Sequence, residues 1–311
     1  MASAKRVLGA LAPDLELVDL PFGGSAIRSH GDSLPAETLE ACRSADAVLK
    51  APVGDPEFDA AEVRPEQGIL RLRGELDVYT NLRPASQGDV DMVIVRELVG
   101  GLYFGAKGVR EDGTVFDTCE YHPSQVERIA RRAFELARSR RGRLTSVDKA
   151  NILETSRMWR RVVAEVAADY PDVDVEDMLV DNAAMQLASS PEQFDVIVTE
   201  NMFGDILSDL AAAMTGGLGL APSASLGDGG PGIFEPVHGS APDIAGLGVA
   251  NPTAMLRSTA LMLEHAFGRD AEARRLEAAI DRAMAEAPTA DLGGTASTDE
   301  FTQTVLARLA D

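Results

Sequence analysis

The sequence predicts an α/β fold built on an open sheet. Two observations carry that expectation. Short apolar runs such as Met92–Val95 and Phe194–Thr199 alternate with helix-length segments whose apolar residues recur every three or four positions. Strands alternating with helices in this way indicate a layered α/β domain rather than a β-sandwich. The sequence is expected to lack the G-x-G-x-x-G fingerprint, so a conventional Rossmann fold is not predicted. With 311 residues, the chain suits one or two such domains.

Residues 3–12 predict a short helix stopped by Pro13. Leu15–Leu20 alternates apolar and acidic residues like a half-buried strand, and Phe22-Gly23-Gly24 turns out of it. Ser33–Ser44 reads as helix and Ala47–Leu49 as a short buried strand. The loop Lys50-Ala51-Pro52-Val53-Gly54-Asp55-Pro56 comes next. A helix over Glu66–Leu76, a strand over Val78–Leu82 and a central strand at Met92–Val95 follow. Tyr103–Tyr121 is polar and contains glycines, which fits an extended arm. Gln125–Arg141 is the clearest amphipathic helix, with Val126, Ile129, Ala130, Ala133, Leu136 and Ala137 on one face and Gly142 as its stop. Leu144–Val147 predicts a strand, Ser156–Ala168 a helix, and Val173–Val180 and Phe194–Thr199 buried strands. Thr199–Leu220 is helical up to a glycine-rich break at Thr215–Gly219. Glu235–Gly248 reads as a loop, and Pro252–Phe267, Ala271–Glu286 and Thr298–Ala310 as helices.

A net charge of −21 argues against nucleic acid or an anionic membrane as partner, since either demands a basic face. The longest apolar run, Asn251–Phe267, is broken by Arg257 and Glu264 and falls short of a span. Cys42 and Cys119 are too few for a disulfide framework or a thiolate metal site. The first residues carry too little apolar sequence for a signal peptide. A reduced, cytoplasmic protein is expected.

Several polar residues stand where chemistry could use them. Asp205 and Asp209, four apart on a predicted helix, project from one face and repel each other unless a cation lies between them. Asp181 leaves a predicted strand; with Asp205 and Asp209 it would complete a three-carboxylate oxygen site suited to Mg²⁺ or Mn²⁺. Arg73, Arg83 and Arg96 close apolar runs in an acidic protein, as expected of a clamp for a multiply charged carboxylate or of structural ion pairs with neighbours such as Glu75 or Glu97. Lys149 sits where a strand ends and a helix begins, the usual ligand position in open α/β sheets; it reads as a general base or a solvated surface lysine. In Glu235–Gly246, small residues let backbone N–H groups approach a ligand, and Asp243 could accept from a ribose diol.

These motifs resemble the β-decarboxylating dehydrogenases, and within them the isopropylmalate branch. The resemblance rests on RPEQGILRLR, NLRP, VIVRELVGGLYFG, SVDKANILETSRMWR, MLVDNAAMQL, FDVIVTENMFGDILSDLAAAMTGGLG, PSASLG and EPVHGSAPDIAGLGVANPTA, which occur in that order. It implies an isopropylmalate/isocitrate dehydrogenase-like two-domain open sheet with the active-site cleft between the domains. Residues 1–78 and 216–311 would form the cofactor side, and 79–215 the substrate, metal and dimerisation domain.

The implied reaction is NAD-dependent oxidative decarboxylation of 3-isopropylmalate to 2-oxoisocaproate, in leucine biosynthesis, by a homodimer with shared active sites. By resemblance Arg73, Arg83 and Arg96 hold the malate carboxylates, and Asp181, Asp205 and Asp209 hold Mg²⁺ or Mn²⁺. Asp181 would reach across the dimer interface and would also contact substrate. Lys149, from the partner subunit, would be the base, and Tyr103 the acid that protonates the decarboxylated product. Ile69, Leu70 and Ile152 would line the pocket for the 3-substituent. Glu66, Glu235, His238, Gly239, Ala241, Asp243, Ile244 and Asn251 would contact the cofactor, with Asp243 favouring NAD over NADP.

Three departures fall in the cofactor half. The family's opening strand with its Gly-Asp-Gly-Ile-Gly-Pro-Glu loop is not found in this sequence, through a wrong start site or real shortening. A dozen or more residues are replaced by Ala85-Ser86-Gln87-Gly88, and Lys50–Pro56 replaces a glycine-rich loop. Two alternatives follow: a related dehydrogenase for D-malate, tartrate or another 3-substituted malate, or a catalytically impaired or regulatory paralogue without the nicotinamide loop.

Overall fold

The computed structural model describes residues Met1–Asp311. In chain order its elements are α1 (Ala2–Leu11), α2 (Gly24–His30), α3 (Ala36–Ser44), β1 (Ala47–Leu49), α4 (Pro65–Glu75), β2 (Thr80–Gln87) and β3 (Val90–Glu97). Then come β4 (Lys107–Val109), β5 (Val115–Asp117), α5 (Pro123–Ser139), β6 (Arg143–Asp148), α6 (Glu154–Ala167), β7 (Asp174–Leu179), α7 (Val180–Ser189) and β8 (Val196–Thr199). The last are α8 (Asn201–Met214), β9 (Pro222–Leu226), β10 (Gly232–Pro236), α9 (Thr253–Phe267), α10 (Asp270–Glu286) and α11 (Thr298–Ala310). The chain forms two compact units: unit 1 comprises Met1–Leu76 and Leu218–Asp311, and unit 2 comprises Asp77–Gly217.

In unit 2 the strand order is β2-β3-β8-β6-β7, with only β2 antiparallel to its neighbour. Period-two alternation sends successive residues to opposite faces. Val93, Val95, Val196 and Val198 pack under α5 and α6, while Met92, Ile94 and Ile197 pack with Leu207 and Ala211 of α8 and Ala183 and Leu187 of α7. Burial on both faces explains why the β3 run is apolar without alternation. Because β3, β8, β6 and β7 are parallel, their C-terminal ends share one edge, where open α/β sheets bind ligands. Arg96, Asn201, Lys149 and Asp181 all stand at or just beyond those ends. The register Asn81↔Arg96 brings the start of antiparallel β2, with Arg83, to the same edge.

In unit 1, β1 runs parallel to β10, which pairs antiparallel with β9. Helix α9 packs on β9, β10 and β1, with α10 on α9, and α1 and α11 against each other.

Four expectations need correcting. Leu15–Leu20 is not a strand. It pairs with no strand, although β1 stands at a sheet edge beside β10, and Val18 is 68% exposed. Both segments instead wall a cavity of about 830 Å³. Second, β7 is a largely exposed edge strand, not a buried one. Third, Glu235 lies in strand β10, not in a loop; the β9–β10 hairpin went unpredicted because Pro222-Ser-Ala-Ser has no strand-like pattern. Fourth, G-x-G-x-x-G spacing does occur, at Gly227-Asp228-Gly229-Gly230-Pro231-Gly232. It joins two antiparallel strands and opens no helix, so the Rossmann context is absent.

Candidate active site

Unit 2 concentrates four charges beside one helix. Arg96 is 1% exposed, a position tolerated only when its donors are satisfied. Its Nε and Nη2 both donate to Asn201 Oδ1, at 3.0 and 2.7 Å, and Nη1 donates to Asp205 Oδ1. Arg83 donates from Nε to Asn81 Oδ1 at 2.8 Å, and from Nη1 to Ser208 Oγ at 2.9 Å and Asp209 Oδ1 at 3.3 Å. Its Nη2 lies 3.4 Å from Asp205 Oδ1. Tyr103 donates its hydroxyl to Asp205 Oδ2 at 3.1 Å. Burial first, then the Asp205 charge, pushes the Tyr103 phenol up. Burial also raises the Asp209 carboxyl against the pull of Arg83, with Asp205 adding to the rise.

The backbone explains the close approach. Gly204 faces Arg96 across the first turn of α8, and a Cβ there would lie 2.6 Å from Arg96 Cγ. Glu200 caps α8 by accepting from Met202 N at 3.3 Å and Phe203 N at 3.0 Å. Behind it the hydroxyl of half-buried Tyr121 accepts from Asn201 N at 3.0 Å. Gly101, at φ 69°, makes room for that phenol: a Cβ would meet the hydroxyl oxygen at 2.4 Å.

Lys149 and Asp181 form a separate ion pair where β6 and β7 end. That contact holds the Asp181 carboxyl below its usual range. No three or more His, Cys, Asp or Glu side chains are gathered to hold a metal. Within one chain, therefore, Asp205 and Asp209 come together and Asp181 does not join them, because Asp181 starts α7, beyond the far edge strand.

Unit 1 holds the remaining candidates except Ile152. Arg73, on α4, donates from Nη2 to Glu235 Oε1 at 3.1 Å, so its ion-pair partner is neither Glu75 nor Glu97. Lys50 Nζ lies 2.6 Å from Glu235 Oε2. Both carboxylate oxygens of Glu235 are thus occupied by side chains of its own unit. Ile69 is buried, Leu70 half-buried; Glu66, on the first turn of α4, is exposed. His238 Nδ1 lies 2.8 Å from Gly239 O, and Ala241 adopts a left-handed φ of 45°, leading into a 3₁₀ turn with Asp243 and Ile244. Asn251 donates to Asp291 at 3.0 Å and accepts from Thr253 N at 2.9 Å. Gly239, Ala241 and Asp243 are exposed. The cavity lining includes none of these nucleotide candidates. In unit 2, Ile152 is exposed on the turn after Lys149.

The pattern of the family described as isocitrate/isopropylmalate dehydrogenase matches residues 1–305. The chain belongs to that family. A 3-isopropylmalate dehydrogenase of Zymomonas mobilis is 51% identical over 332 aligned positions, which cover 99% of this chain and 95% of that protein. An isocitrate dehydrogenase structure from Methylococcus capsulatus superimposes with a TM-score of 0.91 at 36% identity, covering 100% of this chain and 95% of the other. A Thermus thermophilus structure gives 0.92 at 36% identity, and this chain spans 65% of that longer one.

For a member of this dehydrogenase family, sequence reasoning found the charged groups and missed their supports. Asn201, Ser208, Tyr121 and Lys50 were not singled out, and Glu97 only as an ion-pair neighbour of the arginines. The one available signal was Gly204, a glycine inside a helix pattern, which usually marks a close approach.

Proposed function

We propose that the chain catalyses NAD-dependent oxidative decarboxylation of 3-isopropylmalate to 2-oxoisocaproate (4-methyl-2-oxopentanoate) in leucine biosynthesis, with Mg²⁺ or Mn²⁺. The observation that carries this reading is the unit 2 cluster, in which two arginines face two aspartates and the charges cancel. A divalent cation added there leaves two positive charges, matching the two carboxylates of a substituted malate. The donor set fits: carboxylate oxygens suit a hard cation, and burial, with the Asp205 charge adding to it, raises the Asp209 carboxyl, a penalty on its charged form that a cation relieves. When bound, the metal supplies Lewis-acid polarisation of the substrate hydroxyl oxygen, and NAD supplies the hydride acceptor.

The chain's own side chains do the rest. Arg73, Arg83 and Arg96 bind the carboxylates, and Ile69, Leu70 and Ile152 take the isopropyl group. Lys149 removes the hydroxyl proton, and Tyr103 returns a proton to the carbon that loses CO₂. Asp181, the third metal ligand, and Lys149 come from a second copy, so the enzyme works as a homodimer; the separation of Asp181 from the other two carboxylates within one chain supports this. Asp243 with Ile244 takes the adenosine ribose and favours NAD. His238 and Asn251 lie on the adenine side, Gly239 and Ala241 contact the same nucleotide, and Glu66 meets the nicotinamide ribose. Glu235 serves the cofactor side through its pairing with Arg73. No helix is long and apolar enough to cross a membrane, and a cytoplasmic location belongs to the same reading.

Following NADH formation with 3-isopropylmalate and Mg²⁺ or Mn²⁺ tests this. Steady turnover is expected, and none from well-folded dimer overturns it.

A further inference from the structure

In unit 1 a single carboxylate faces two cations. Glu235 is 8% exposed, Lys50 7%, and the Arg73 side chain 13%. Lys50 Nζ holds Glu235 Oε2 at 2.6 Å and also donates to Ala51 O at 3.0 Å. Arg73 Nη2 holds Glu235 Oε1 at 3.1 Å, and its Nε is buried with no hydrogen-bond partner. The cations outweigh the burial of Glu235 and bring its carboxyl down to about 2, so it stays ionised. Two positive charges against one negative leave the cluster with an excess of +1. Buried excess charge and an orphaned buried N–H are both unfavourable unless an anion completes them.

We infer that Arg73 offers its remaining donors to an anionic oxygen group, and that Lys50 is the positioning residue that keeps them available. By holding Oε2 and cancelling the Glu235 charge, Lys50 prevents that carboxylate from turning both oxygens onto the Arg73 fork. A bidentate Arg–carboxylate pair would be neutral and self-satisfied. It would have little left for a ligand. Lys50 thus sets the charge of the site without touching the ligand. The inference rests on reading Arg73 as an anion-binding arginine. A substrate carboxylate and a dinucleotide phosphate both have the required chemistry.

The test is calorimetric binding of 3-isopropylmalate with Mg²⁺, and separately of NAD, to dimeric protein carrying Lys50→Met, Lys50→Arg, Arg73→Met or the pair Lys50→Met/Glu235→Gln. Lys50→Met should weaken one of the two ligands by about tenfold or more, the loss of one charge-assisted contact. Which ligand weakens tells carboxylate from phosphate. Lys50→Arg should bind like the parent. The double variant restores the +1 excess and should recover most of the lost affinity, which a merely structural lysine would not allow. Unchanged binding in Lys50→Met, or a double variant as weak as the single one, overturns the inference. If Lys50→Met fails to fold, the double variant and Lys50→Arg decide: parental affinity in both upholds the inference and weak binding in the double variant overturns it. Parental binding of both ligands by Arg73→Met would instead remove the Arg73 reading itself.

Discussion

Asn201 Oδ1 grips the Arg96 guanidinium twice, at 3.0 Å from Nε and 2.7 Å from Nη2, while Asn201 Nδ2 donates to Gly100 O at 3.0 Å. One amide therefore joins the end of β3, the loop leading to Tyr103 and the first turn of α8. It leaves Arg96 Nη1 aimed at Asp205. Replacing Asn201 with Ala removes the acceptor that two donors of a buried cation share, which should cost about 2–4 kcal/mol in denaturant unfolding. The KM for 3-isopropylmalate should rise with it.

Gly204→Ala tests the close approach from the other side. Its Cβ would press on Arg96 Cγ at 2.6 Å and Cβ at 2.8 Å, inside contact distance. Overpacking of this kind typically costs about 1–3 kcal/mol. Arg96 must move, so KM is expected to rise more than kcat falls. Parental KM with parental stability would show that Arg96 can shift freely.

Lys149 and Asp209 should separate chemistry from metal binding. Lys149→Met should lower kcat by roughly 10²–10⁴, the usual scale for a general base. Its thermal midpoint should stay at the parental value, because its partner Asp181 is exposed. Asp209→Asn should instead weaken Mn²⁺ by more than the roughly 10–100-fold seen when a residue supporting a ligand is changed. Without metal its stability should not fall, since burial already disfavours the Asp209 charge.

Glu97 predicts a pH dependence of stability. It is fully buried, and burial pushes its carboxyl up from 4.5 to about 7, against hydrogen bonds from Val99 N, Tyr121 and Gly100 N. The folded state then binds a proton that the unfolded state has released, so stability falls as pH rises from about 4.5 to about 7 and levels off above. At 1.36 kcal/mol per unit the contribution is at most about 3 kcal/mol. Denaturant midpoints across that range should show this slope, and Glu97→Gln should reduce it, leaving the part contributed by Glu277, which burial also raises from 4.5 to about 7. A variant as steep as the parent would assign the proton elsewhere.

The periodic parts of the fold were legible in the sequence because their signals are local. The α5 stripe, the apolar runs of β3 and β8, and the one-turn spacing of Asp205 and Asp209 each lie within a few residues and follow from helix and strand geometry. The order of motifs was equally legible, and with it the family. Leu15–Leu20 shows the limit. Its alternation is that of a strand, but a strand also needs a neighbour to bond, and this stretch pairs with none.

Partnership was decided only by the tertiary structure. Arg73 could have paired with Glu75 two residues away, but it pairs with Glu235, 162 residues away, because α4 and β10 meet in unit 1. Asn201 looked like an ordinary residue of a helix start until the parallel register of β3 and β8 placed it under Arg96. Asp181 reads like a companion of Asp205 and Asp209, yet strand order sets it at the end of β7, against Lys149. Local patterns specify which face of an element is buried. Which charge meets which depends on strand order and register, and these are settled by packing the whole chain.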